Sequence, residues 1–223
     1  MLDEHKITVK GVGKLKLKVD WIKISFSLTS RDLDYGAGYD DFAKRIVKLQ
    51  DAIADVGFDK KDLKSSRIKV STLYKDLKSK TGEATEYKSV FDGYLFDTDL
   101  NLSMHFDSKK LGEVLKAVAN SGADPKFFIN FSVKDEEEAK NKLLAAAAQD
   151  AKTKAGILCS ALGVRLGALY SISYNWGEMD IISRSSYVME RDCLYAAGAA
   201  PDMDFTPEDV EVEDTATFIW DIA

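Results

Sequence analysis

KLKLKVDWIKISFSLT, residues 14–29, carries two alternating rows that do not share a phase. Leu15, Leu17 and Val19 fall on one side, with Lys14, Lys16 and Lys18 on the other. Trp21 keeps that parity. Ile22, Ile24, Phe26 and Leu28 then form a second apolar row, opposite Lys23, Ser25 and Ser27. Period two is the mark of a half-buried strand, and the change of phase predicts a bulge or a break near Asp20. The lysine row reads as a solvated face, of the kind that keeps a sheet edge from pairing with strangers.

Downstream the period changes. Over residues 39–56, Phe42, Ile46, Leu49, Ile53 and Val56 recur at steps of three and four, which predicts an amphipathic helix closed by Gly57. SRIKVSTLYK (66–75) and YKSVFDGYLFDTDLNLSMHF (87–106) read as strands joined by a turn-rich KSKTGEAT (78–85), a hairpin. Tyr94, Phe96, Thr98, Leu100, Leu102 and Met104 share one face of the second strand. Asp107 reads as the N-cap of a helix carrying Leu111, Val114, Leu115 and Val118, ending near Gly122. KFFINFSV (126–133) is a further strand.

Asp135 and Glu138 have the spacing of a capping box, and the acids around them suit a helix N-terminus electrostatically. The helix that follows contains four successive alanines. Leu144, Ala147, Ala151, Ala155, Leu158 and Leu162 make its apolar stripe, small in the middle and so suited to close approach to a sheet. RLGALYSISYNW (165–176) and EVEDTATFIWDI (211–222) return to strand-like patterns, while residues 177–208 show no periodicity. The order strand, helix, strand, strand, helix, strand predicts an α+β chain: a ferredoxin-like βαββαβ antiparallel sheet, extended by the long helix and two more strands. Residues 1–223 are expected to form a single domain, with 177–208 as an irregular, insertion-like segment.

The chain has 223 residues, 45% hydrophobic and 30% charged, with a net charge of −6. That balance speaks against nucleic acid as a partner, because such binding rests on Lys and Arg neutralising phosphates. No stretch approaches the ~20 apolar residues of a membrane-spanning helix. The N-terminus MLDEHKITVKGVGK has no apolar h-region, so the expected location is cytoplasmic. Two cysteines make no disulfide framework, and Cys159, within the long helix, reads as a small buried apolar residue.

A search for chemistry finds little. His5 and His105 are the two histidines, and neither lies in a cluster with metal-ligand spacing. Gly11 and Gly13 form a GxG followed by a strand, whereas a dinucleotide site needs a helix there, so they are expected to permit a turn or bulge. Asp97 and Asp99 share a strand face and could pair as acid and base, but solvated carboxylates are the simpler reading. Tyr87, Tyr94 and Phe96 lack the RNP1 pattern of an RNA-binding sheet. The sequence therefore leads to no catalytic residue, no cofactor and no metal, and to a non-enzymatic protein.

Several blocks resemble the SIMPL-domain family: ITVKGVGKLKLKVDW (7–21), VGFDKKDLKSSRIKVSTLYK, GYLFDTDLNLSM (93–104), and EEAKNKLLAAAAQDAKTKAGILCSALGVRLGALYSIS. The resemblance covers nearly the whole chain except 177–208. It implies an α/β fold, bacterial relatives that are usually exported and linked to the envelope or stress, and a ring-like homo-oligomer in at least one of them. An animal relative is a binding protein in signalling. This chain departs from the pattern at Val19, where proline is common, and its first residues lack the apolar run of the usual export signal. The expected function is thus a self-associating binding or assembly protein, with a homo-oligomer or another protein as partner. Met179, Tyr187, Met189, Tyr195 and Met203 are the candidate partner surface, since methionine adapts readily to partners. The alternative is a small-ligand carrier or sensor with a pocket near 177–208.

Overall fold

The phase change in residues 14–29 is a break between strands that enter different sheets. In the computed structural model, which describes residues 5–81, 84–174, 180–189 and 205–223, β1 (Lys6–Leu17) pairs antiparallel with β8 (Val210–Ile222). β2 (Trp21–Asp32) pairs antiparallel with β4 (Ala84–His105). Asp20 makes the break: its N–H donates to Ser132 O at 3.2 Å, and its Oδ1 accepts the Lys134 N–H at 2.7 Å. The two out-of-phase rows therefore fill two cores, and the expected single sheet is two.

The remaining described elements are α1 (Tyr35–Asp55), β3 (Lys64–Thr81), α2 (Ser108–Asn120), β5 (Lys126–Ser132), α3 (Glu136–Leu162), β6 (Leu166–Ser173) and β7 (Ile182–Met189). The sheet orders are β1-β8-β6 and β3-β4-β2-β5-β7. The chain divides into two compact units: 1–20, 131–185 and 207–223 in the first, 21–130 and 186–206 in the second.

In the second unit the even row of β2, from Ile22 to Leu28, is fully buried together with Phe96, Leu100 and Leu102 of β4. α1 and α2 supply the other side of this core through Phe42, Leu49 and Ile53 and through Leu111, Val114 and Val118. Phe42 and Phe96 meet at a ring-centroid distance of 5.8 Å. Asp34 caps α1 by accepting the Ala37 N–H, and Asp107 caps α2 by accepting that of Lys110, as its sequence predicts. One member of the α1 stripe is charged. Arg45, 9% exposed, donates from Nε to Ala123 O at 2.9 Å, from Nη2 to Asp124 O at 3.0 Å, and from Nη1 to Thr29 O.

Two local expectations are corrected. Residues 78–85 are largely strand: β3 runs to Thr81 and β4 begins at Ala84, so the ladder zips almost to the turn. Residues 177–208 contain β7, whose ISRSSYVM has no clean alternation and takes its form from the sheet it joins.

Candidate functional site

The first unit is built on a strand of glycines meeting a helix of alanines. Gly11 and Gly13 lie in the middle of β1 and are buried, rather than in the expected turn or bulge. A Cβ on Gly11 would stand 2.0 Å from Ala147 O, and one on Gly13 would stand 2.1 Å from Leu143 O. The glycines thus allow the α3 backbone to lie directly against the strand. The buried row of α3 is Ala139, Leu143, Ala147, Ala151, Ala155 and Cys159, in unbroken steps of four. Such a row is inclined ~26° to the helix axis. The three central alanines and buried Cys159 agree with the sequence reading. The leucines at the stripe's ends do not: Leu143 replaces half-buried Leu144, and Leu158 and Leu162 lie outside, 46% and 74% exposed. Ile157 is 63% exposed beside them.

α3 crosses β1 and β8 and hardly touches β6. Leu169 and Ile172 of β6 stand opposite Trp220 and Phe218, so they face the same side as those buried rings. Without a helix above them they remain 48% and 55% exposed. Tyr170 is 59% exposed, with the Lys6 ammonium 3.3 Å above its ring centroid. The chain passes from α3 to β6 through Gly163, whose φ of 69° closes the helix, and Val164 N–H returns to Cys159 O at 3.0 Å. Two consecutive elements therefore expose six large apolar side chains. Exposed apolar side chains of this size mark a candidate interaction surface.

The two edges of this sheet differ. β1 carries Lys6, Lys10, Lys14 and Lys16, and Lys14 pairs with Glu213 at 2.8 Å. Its Val12 N–H donates to Asp150 Oδ2 of α3 at 2.7 Å, and Lys154 donates to the same oxygen at 2.6 Å. β6, LGALYSIS, has no charged residue. The Lys154 ammonium, and then the Val12 N–H, hold the Asp150 carboxyl below the usual aspartate range. A depressed folded pKa stabilises above the unfolded value of about 3.9, and that stability is lost as the pH falls through the folded one. A carboxyl-detected NMR titration is expected to place the Asp150 midpoint below that of an ordinary aspartate, with the Val12 amide moving at the same midpoint. Lys154→Met should raise both.

Those residues singled out in the sequence that the structure describes do not converge. Tyr187 is 40% exposed and stands edge-on to buried Phe205 at 5.1 Å. Met179, Tyr195 and Met203 lie outside the described residues, as does the side chain of Met189. Arg67 lies between the two candidate carboxylates, 2.7 Å from Asp97 and 3.2 Å from Asp99. His105 packs edge-on against Trp21 at 4.9 Å, and the His5 carbonyl accepts the Ile222 N–H at 3.0 Å. Among the described residues no three His, Cys, Asp or Glu side chains are grouped to hold a metal. No described helix is long and apolar enough to cross a membrane.

The β6 surface was missed in the sequence, although its signal is there: residues 166–173 lack the charges found on the other edge strands.

The profile of the SIMPL family, described as a protein of unknown function (DUF541), matches residues 7–220 of the 223. The chain belongs to the SIMPL family. No curated protein matches this SIMPL chain. The match runs through both units and through 177–208, the stretch left out of the resemblance.

Proposed function

We propose that this SIMPL protein is a non-enzymatic binding and assembly protein that associates with copies of itself. The observation that carries the reading is the set of exposed apolar side chains of the first unit, Ile157, Leu158 and Leu162 on α3 and Leu169 and Ile172 on β6. Burying it in a partner would remove from water what α3 leaves open, at ~25 cal/mol per Å². The rest of the fold suits a scaffold. In the second unit the chain order β2-α1-β3-β4-α2-β5, with sheet order β3-β4-β2-β5, favours a ferredoxin-like reading.

Multi-angle light scattering tests the proposal. The purified chain is expected to run at a multiple of its 24.7 kDa mass. Leu158→Glu/Leu162→Glu should shift it towards the single chain, since both side chains are exposed. A single-chain mass at every concentration up to millimolar would overturn the reading.

One feature favours the ligand-carrier alternative. A trough of about 500 Å³ on the face of Lys23, Ser25 and Ser27 is also lined by Asn101, Lys126 and Val188, the last within 177–208. Ser25 Oγ donates to Asn101 Oδ1 at 2.7 Å, so part of its polar lining is already paired. A rise in melting temperature with a small polar metabolite would favour this alternative.

A further inference from the structure

We infer that two copies of the chain pair through β6, antiparallel, strand against strand about a two-fold axis. The inference rests on the self-association reading and specifies its geometry.

An edge strand presents unpaired N–H and C=O groups, and proteins guard such edges with charge, proline or a covering element. Among the described strands the two sheets have four edges: β1 and β6, β3 and β7. β1 has its lysine row, and the Asp150 carboxylate occupies its Val12 N–H. β3 carries Lys64, Arg67, Lys69, Lys75 and Lys78, and β7 carries Arg184. β6 has neither charge nor proline, its apolar side chains are about half exposed, and among the described strands β8 is its one neighbour.

Charge selects the occupant. A lysine-bearing edge laid on its own copy sets like charges against each other, which is unfavourable. β6 laid antiparallel on a second β6 meets no charge at all. With the axis at Ile172, Ile172 faces Ile172, Ser171 faces Ser173 and Tyr170 faces Tyr174 of the second copy. The interface is isologous, as a two-fold requires. The register with β8 shifts between Leu166 and Ser171 and is regular from Ser171 to Ser173, so the straight part of the strand centres on Ile172. Pairing there also shields Leu169 and Ile172, the side chains left open beside α3.

Two measurements on the full chain test this. First, Ile172→Lys and Ile172→Glu are each expected to weaken self-association at least about tenfold in Kd, a penalty of about 1.4 kcal/mol. Mixing the two variants should restore it, because lysine then meets glutamate. Restoration also shows that both variants fold. Second, Ser171→Cys, Ile172→Cys and Ser173→Cys, in a Cys193→Ser background, should give a disulfide-linked dimer under mild oxidation. The yield should peak at the position nearest the axis, and Lys14→Cys on β1 should give none. If the wild type is multimeric, yet the charged variants associate as tightly as wild type or no β6 cysteine cross-links, this geometry is wrong and self-association stands. If the wild type is a single chain throughout, both fall.

Discussion

Gly13→Ala is expected to destabilise the first unit by more than ~3 kcal/mol, and Gly11→Ala by a similar amount. Overpacking a core costs ~1–3 kcal/mol when side chains can shift aside. Here the obstacles are largely main chain. The new methyl would lie 2.1 Å from Leu143 O in one case, and 2.0 Å from Ala147 O in the other. Neither carbonyl can move without disturbing α3, so the helix must lift from β1. Lifting it uncovers Val9, Phe218 and Trp220, which pack with Ala151 and Ala155. Gly156→Ala is the contrast within the same unit. Nothing lies within 4 Å of a Cβ there, and alanine is favoured over glycine in a helix by up to ~1 kcal/mol. Hydrogen exchange at the β1–β8 amides, together with urea unfolding, reads both signs. Gly13→Ala with unchanged protection would show that α3 does not press on the strand.

In the second unit the largest effect is expected at Arg45. Its guanidinium serves three backbone carbonyls, those of Thr29, Ala123 and Asp124. Arg45→Ala removes all three donors. Leaving a buried acceptor unsatisfied costs ~1–3 kcal/mol, so a total loss of at least ~3 kcal/mol is expected after water replaces part of the set. The turn it holds is strained, since Asp124 has a φ of 48°, a region that side chains other than glycine seldom adopt. Arg45→Lys should recover less than half of the loss, because a single ammonium cannot fork to three separate acceptors. Calorimetric unfolding of the three proteins decides it. A full recovery by lysine would show that the charge matters and the fork does not.

Both sites mark how far the sequence could be read. The elements were legible because period two and period 3.6 differ over a dozen residues, as in β2 and α1. The break near Asp20 was legible as a phase change. Its meaning was not, since alternation reports which side is buried and not which core lies there. Arg45 sat in view, three residues after Phe42 and four before Leu49, on the apolar face of its helix. A charge in that stripe signals a buried donor, but its acceptors lie 78 and 79 residues away at Ala123 and Asp124. The α3 stripe was misplaced at its ends for a related reason. Spacing alone admits a row through Leu158 and Leu162 as readily as one through Cys159, and the choice is made by glycines on a distant strand. The β6 surface went unseen because exposure is a property of what fails to cover a strand. That SIMPL membership carries no described function leaves the surface, not the family, to suggest the role.

The β1–β8 ladder also fixes an order of events during synthesis. Leu17 pairs with Val210 and Lys6 with Asp221, so β1 has no strand to join until roughly 190 further residues have been translated. At ~5–20 residues per second that is a wait of about 10–40 s. The stretch 21–130, which is most of the second unit, is contiguous in the chain and needs no such delay. On the ribosome the two halves of this protein therefore mature at different times, and the lysines of β1 keep a long-idle strand soluble while its partner is still being made.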